Sequence, residues 1–161
     1  RSLNASCIGL GALDVDAAGT VTGITIRNID GTAGGRYPLR LYNLGGSDCT
    51  VSGITLDGLR LRGDFASFGS ADPLAGIVIR GLSGSPVTHV TIQNCRLANV
   101  SAQALHIYGT TSNVTLSNNT FSAYANFDGT GPLTASWSVN VNQTTGYTWT
   151  ANTFRGPQYI Y

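Results

Sequence analysis

The sequence predicts an all-β chain, a right-handed single-stranded parallel β-helix: a solenoid of about five coils. Three observations predict it. One short β-branched strand motif recurs at uneven intervals. Each copy is followed by a turn that carries Asn or Gly. The chain contains no Lys, Glu or Met, so the residues that usually solvate helix faces are missing.

The first strand family reads VTGITI at Val21–Ile26, VSGITL at Val51–Leu56, VTHVTI at Val87–Ile92, SNVTL at Ser112–Leu116 and TGYTW at Thr145–Trp149. Alternation of apolar and polar residues marks each as a strand with one face inward. Ile24, Ile54, Val90, Val114 and Tyr147 are the central apolar residues and are expected to stack in one buried column. They recur after 30, 36, 24 and 33 residues, the mark of a constant strand with variable loops. The turns that follow carry Asn28, Gly58, Asn94, Asn118 and Asn152, residues that tolerate left-handed backbone. Beyond each turn comes a further apolar residue: Ile29, Leu59, Leu97, Phe121 or Phe154.

A second family alternates with the first: ALDVD at Ala12–Asp16, PLRLY at Pro38–Tyr42, GIVIR at Gly76–Arg80, ALHIY at Ala104–Tyr108 and SVNVN at Ser138–Asn142. Its inward columns are Leu13, Leu39, Ile77, Leu105, Val139 and Val15, Leu41, Ile79, Ile107, Val141. Two families in alternation over 161 residues fit one domain, standing alone or as part of a longer chain. Loops at Arg62–Leu74 and Ser122–Trp137 interrupt them with Phe65, Phe68, Tyr124 and Phe127, on a scaffold where loops carry recognition.

These motifs resemble the repeats of the pectate-lyase-like superfamily. The likeness lies in ITIRN at Ile24–Asn28 and VTLSNNTF at Val114–Phe121, and it extends over nearly the whole chain. It implies the parallel β-helix and a carbohydrate context: pectin-degrading enzymes, alginate epimerases and lyases, and phage tailspikes share the fold. The catalytic signatures of those enzymes do not occur in this sequence, and a lysine base has no counterpart in a chain without Lys. By resemblance to tailspikes, a homo-oligomer, a trimer first of all, is expected.

Composition narrows the partner classes. Only 11% of residues are charged and the net charge is +1, which gives no footprint for nucleic acid. No apolar run is long enough to span a membrane. Cys7, Cys49 and Cys95 have no metal-site or redox spacing and read as structural, and no metal or cofactor is expected.

The outward residues of the second family carry the functional expectation. One column holds Asp14, Arg40, Val78, His106 and Asn140; its neighbour holds Asp16, Tyr42, Arg80, Tyr108 and Asn142. Tyrosine rings cover the apolar faces of sugars. Arginine forks take carboxylates, and Asn hydrogen-bonds hydroxyls. The ligand-binding set is Arg40, Tyr42, Arg80, His106, Tyr108, Asn140 and Asn142. Outward strand residues are polar in any β protein, so the bland alternative is ordinary cross-strand pairing. The first family presents a column of Thr25, Thr55, Thr91, Thr115 and Thr148, which reads as favoured outward strand residues more readily than as a lattice-matching array.

The expected function is an extracellular or virion-surface module that binds a polysaccharide or cell-surface glycan without catalysis. Two alternatives stand beside it. In a polysaccharide lyase or glycoside hydrolase acting on an acidic glycan, Asp14, Asp16 and His106 are the catalytic candidates. The other is a purely structural spacer or capsid decoration.

Overall fold

The computed structural model describes residues 8–10, 19–33, 39–42, 49–63, 75–100 and 102–161; for 39–42 and some other strand residues, the backbone alone. These residues form strands and turns and no helix, so among them no helix is long and apolar enough to cross a membrane. Every pairing between extended strands is parallel.

The strands build three parallel ladders. One contains β1 (Ile8–Leu10), β5 (Leu39–Tyr42), β8 (Ala75–Gly81), the first half of β11 (Gln103–Ser117), β13 (Trp137–Thr145) and β16 (Gln158–Ile160). The next contains β2 (Gly19–Thr22) with β3 (Thr25–Arg27), then β6 (Cys49–Asp57), β9 (Val87–Gln93), the second half of β11, and β14 (Thr148–Thr150). β11 runs through both, so the two ladders form one 11-stranded sheet. The third is a separate 5-stranded sheet of β4 (Asp30–Ala33), β7 (Arg60–Gly63), β10 (Arg96–Ala98), β12 (Thr120–Ser122) and β15 (Thr153–Arg155).

The two strand families expected from the sequence are therefore three. The apolar residues after each turn belong to strands of their own: Leu61, Leu97, Phe121 and Phe154 align from rung to rung. Strands of three or four residues are too short to show a periodicity, so they read as turns.

Left-handed backbone explains why the first motif holds two apolar residues three apart. Val51 and Ile54 are both buried, which strict alternation forbids. Between them Gly53 adopts φ 67°, and its counterparts Gly23, His89, Asn113 and Gly146 also have positive φ. Each strand bends at this residue. A second left-handed row closes the next corner: Asn28, Gly58, Asn94, Asn118 and Ala151. The last departs from expectation, because Ala151 rather than Asn152 takes the left-handed position. Asn152 instead aligns with the buried Asn119, and its Nδ2 donates to the Leu116 carbonyl.

The interior is aliphatic. Ile54, Val90 and Val114 stack in register and are buried; Ile24 is partly buried against the same core. Tyr147 departs from this column. It lies on the last rung of its ladder, 45% exposed, against Trp149. In the other ladder Leu39, Ile77, Leu105 and Val139 pair in register, as do Leu41, Ile79, Ile107 and Val141, in the order expected, and of these Ile77, Ile79, Leu105, Ile107, Val139 and Val141 are buried. Their first rung is different: Ile8 pairs with Leu39 and Leu10 with Leu41, where Leu13 and Val15 were expected. Both stretches carry the same period of two, which cannot tell them apart.

Buried polar groups are paired along the stack. Asn119 Oδ1 accepts from the Cys95 backbone N–H, and its Nδ2 donates to the Ile92 carbonyl and to Asn152 Oδ1. Cys95 is a buried free thiol, with its pKa pushed up to about 11 by burial. Its structural reading holds.

Candidate functional site

In β8, β11 and β13 the alternation that turns Ile77, Ile79, Leu105, Ile107, Val139 and Val141 inward turns their neighbours outward. Parallel register then fixes the rows. Val78, His106, Asn140 and Tyr159 lie side by side. Arg80, Tyr108 and Asn142 form the adjacent row. The structure thus brings together Arg80, His106, Tyr108, Asn140 and Asn142. Arg40 pairs with Val78 and Tyr42 with Arg80 through the backbone, so both occupy the next rung. Asp14 and Asp16 lie outside the described residues; the residue paired with Arg40 on its other side is Gly9.

The aromatic groups are ordered. His106 stacks on Tyr108 with ring centroids 4.3 Å apart and planes 19° apart. The Arg80 guanidinium carbon lies 5.4 Å from the Tyr108 centroid, within cation–π range. Two rings the sequence reading left out of this face, Tyr159 and Tyr161, extend it. Tyr159 continues the His106 row; it packs against Trp137 at 5.4 Å and stacks on Tyr161 at 6.3 Å and 10°. The sequence signal for this rung was the alternation in Gln158–Tyr161, too short to separate from a tail.

Exposure rises along the row. Val78 is 1% exposed although it is outside the core cluster, so the sheet is covered on its outer side there. The outward column is therefore not uniformly solvated, as the alternation alone implies. His106 is half-buried, and burial pulls its pKa down to about 4, leaving a neutral imidazole at physiological pH. Asn140 Oδ1 is shielded from solvent and has no hydrogen-bond partner among the described residues. Tyr159 is 39% exposed. The surface is a half-sheltered trough with rings, a guanidinium, amides and one unsatisfied acceptor.

Two other outer surfaces have distinct chemistry. Thr25, Thr55, Thr91, Thr115 and Thr148 align in strict register. Beside them the left-handed bend opens a groove of about 410 Å³ lined by His89, Thr91, Asn113, Thr115, Gly146 and Thr148. His89 is exposed, with Nδ1 3.1 Å from Thr88 Oγ1 and Nε2 3.4 Å from Asn113 Nδ2. On the 5-stranded sheet, the loop after β12 brings Phe127 under the Arg60 and Arg62 guanidinium groups, at 4.9 and 5.5 Å. A cleft of about 210 Å³ lies alongside, lined by Arg96, Thr120, Phe127, Asp128 and Arg155. Reading that sheet as turns hid this surface, because four arginines far apart in sequence converge only once the third ladder exists.

Among the described residues no three His, Cys, Asp or Glu side chains group to hold a metal ion. No family model, curated protein or solved structure matches the chain.

Proposed function

We propose that the chain is a right-handed single-stranded parallel β-helix of the pectate-lyase-like kind, and that the outer face of β8, β11, β13 and β16 binds a glycan without cleaving it. The protein is then a carbohydrate-binding module of an extracellular or virion-surface assembly. Three parallel ladders that each gain a strand as the chain advances support the solenoid. The observation that carries the function is the pair of cross-strand rows His106–Asn140–Tyr159 and Arg80–Tyr108–Asn142. Rings suit the apolar faces of sugars, the guanidinium suits a uronate or sialate-like carboxylate, and the Asn142 amide suits hydroxyls. Rungs about 4.8 Å apart let one extended sugar chain touch several of them at once.

The second reading, a lyase or hydrolase on an acidic glycan, is favoured by His106, a half-buried titratable group perturbed by its surroundings, as groups in catalytic sites often are. A homo-oligomer, a trimer by the tailspike resemblance, or the remainder of a longer chain would cover Tyr147 and Ile160, which are 45% and 44% exposed.

Incubation with a panel of acidic and neutral polysaccharides separates these readings. Retention of the protein on an acidic glycan whose length is unchanged is the expected result. Shortening of the glycan would replace the module by the enzyme, and indifference to every polysaccharide would remove both.

A further inference from the structure

The arginines of the 5-stranded sheet form a group separate from the trough. Arg60 and Arg96 are directly paired in register, and Arg62 and Arg155 lie on the next outward positions of β7 and β15. Not all four are free to bind. Arg62 donates to the Ala125 carbonyl at 2.9 Å and to Asn126 Oδ1 at 3.2 Å, so it anchors the loop. Arg60 stacks on Phe127. Among the described residues neither Arg96 nor Arg155 has a side-chain hydrogen bond or an ion pair within 4 Å. Both line the cleft together with Thr120, Phe127 and Asp128, and Thr120 lies on β12, the strand between those of Arg96 and Arg155.

The single acid at the rim does not neutralise this surface. Asp128 Oδ1 accepts from the Thr130 N–H at 2.9 Å and from the Thr130 hydroxyl at 2.6 Å. Those bonds, with a smaller electrostatic pull from Arg155, hold its carboxyl below the ordinary range, so it stands as one negative charge beside the two guanidinium groups of the cleft. The Arg155 stem is held in turn: it lies where a Cβ on Gly129, at φ 85°, would sit. The loop thus positions both an aromatic wall and a guanidinium, while its own polar groups are satisfied internally.

We propose that this cleft binds a tetrahedral oxyanion, a sulfate or phosphate group, between Arg96 and Arg155 with Thr120 as a third donor. Two guanidinium forks and a hydroxyl, carried by β10, β15 and β12, supply more donors than the two oxygens of a single carboxylate can take, which suits a group with three or four oxygens. The cleft is smaller than the usual 300 Å³ or more of a drug-sized ligand site, so it takes one such group, free or esterified to a larger molecule. The site lies on a different sheet from the glycan trough and stands whether or not that reading does.

The test is a titration of the 161-residue chain with sodium sulfate and with sodium phosphate at constant ionic strength, with sodium chloride as reference, following the arginine Nε–H resonances by NMR. Saturating shifts at Arg96 and Arg155 are expected for sulfate and phosphate but not for chloride. The R96Q/R155Q variant should bind at least tenfold more weakly at unchanged melting temperature, and R27Q, on another ladder, should bind as the parent does. R96K/R155K keeps the charge but loses the forks and should also weaken binding. Glucose 6-sulfate and glucose 6-phosphate identify the source: tighter binding than the inorganic ion assigns the group to a larger ligand, and equal binding to the free ion. Linear shifts matching chloride, or full binding by R96Q/R155Q, would overturn the site, and full binding by R96K/R155K would overturn the fork geometry.

Discussion

The two halves of β11 share an interior and differ in their exteriors. Leu105 and Ile107 in the first half, and Val114 and Leu116 in the second, are all buried in one core. Outside, the first half presents His106 and Tyr108, half-buried and stacked. The second presents Asn113 and Thr115 beside an open groove. A positive φ at Gly109 and a register shift between Tyr108 and Thr111 separate them. Gly109 is required there, since a Cβ would come within 2.2 Å of the Gly81 carbonyl oxygen. The difference teaches that the inward pattern specifies the stack and is silent on activity. The proposed recognition rests on the outward residues, one ladder at a time.

If the interiors are equivalent, Ile107→Ala and Leu116→Ala should cost alike, roughly 2–5 kcal/mol each, by opening cavities in a close-packed column. Denaturant melts check this; a cost under about 1 kcal/mol in one half would break the comparison at its base. Asn119→Ala strips three hydrogen bonds from buried groups and should cost about 1–3 kcal/mol.

The exteriors should differ in their response to acid. The folded-state pKa of His106 lies near 4, against an ordinary 6.5. Between those values the unfolded chain binds a proton that the folded chain refuses, so stability falls as pH drops from about 6.5 to 4. His106→Gln should flatten this slope in melts taken between pH 7 and 4.5. A slope unchanged by the substitution would contradict the sheltered imidazole. In the second half, Thr115→Ala should cost less than about 1 kcal/mol, as outward strand positions do.

Much of the stack was legible from sequence. The columns through Ile54, Val90 and Val114 and through Ile79, Ile107 and Val141 follow from alternation alone, and Asn94 and Asn118 announce their corner because few residues tolerate positive φ. The 5-stranded sheet was hidden by the brevity of its strands. The first rung was displaced because a period of two repeats in Ile8–Leu10 and Leu13–Val15. On the candidate face, adjacency of His106, Tyr108, Asn140 and Asn142 was readable from spacing. The cover over Val78 and the converging arginines were not, since both depend on segments that approach from distant parts of the chain.

The central claim is that the first half of β11, and not the second, faces the glycan. Calorimetric titration of the parent, Tyr108→Ala and Thr115→Ala with an acidic polysaccharide tests it most directly. The account predicts that Tyr108→Ala loses at least tenfold in affinity while its stability falls by no more than about 1.5 kcal/mol, the scale of the lost ring contacts, and that Thr115→Ala binds as the parent does. Full binding by Tyr108→Ala together with loss in Thr115→Ala would contradict it and move the site to the groove beside the threonine row.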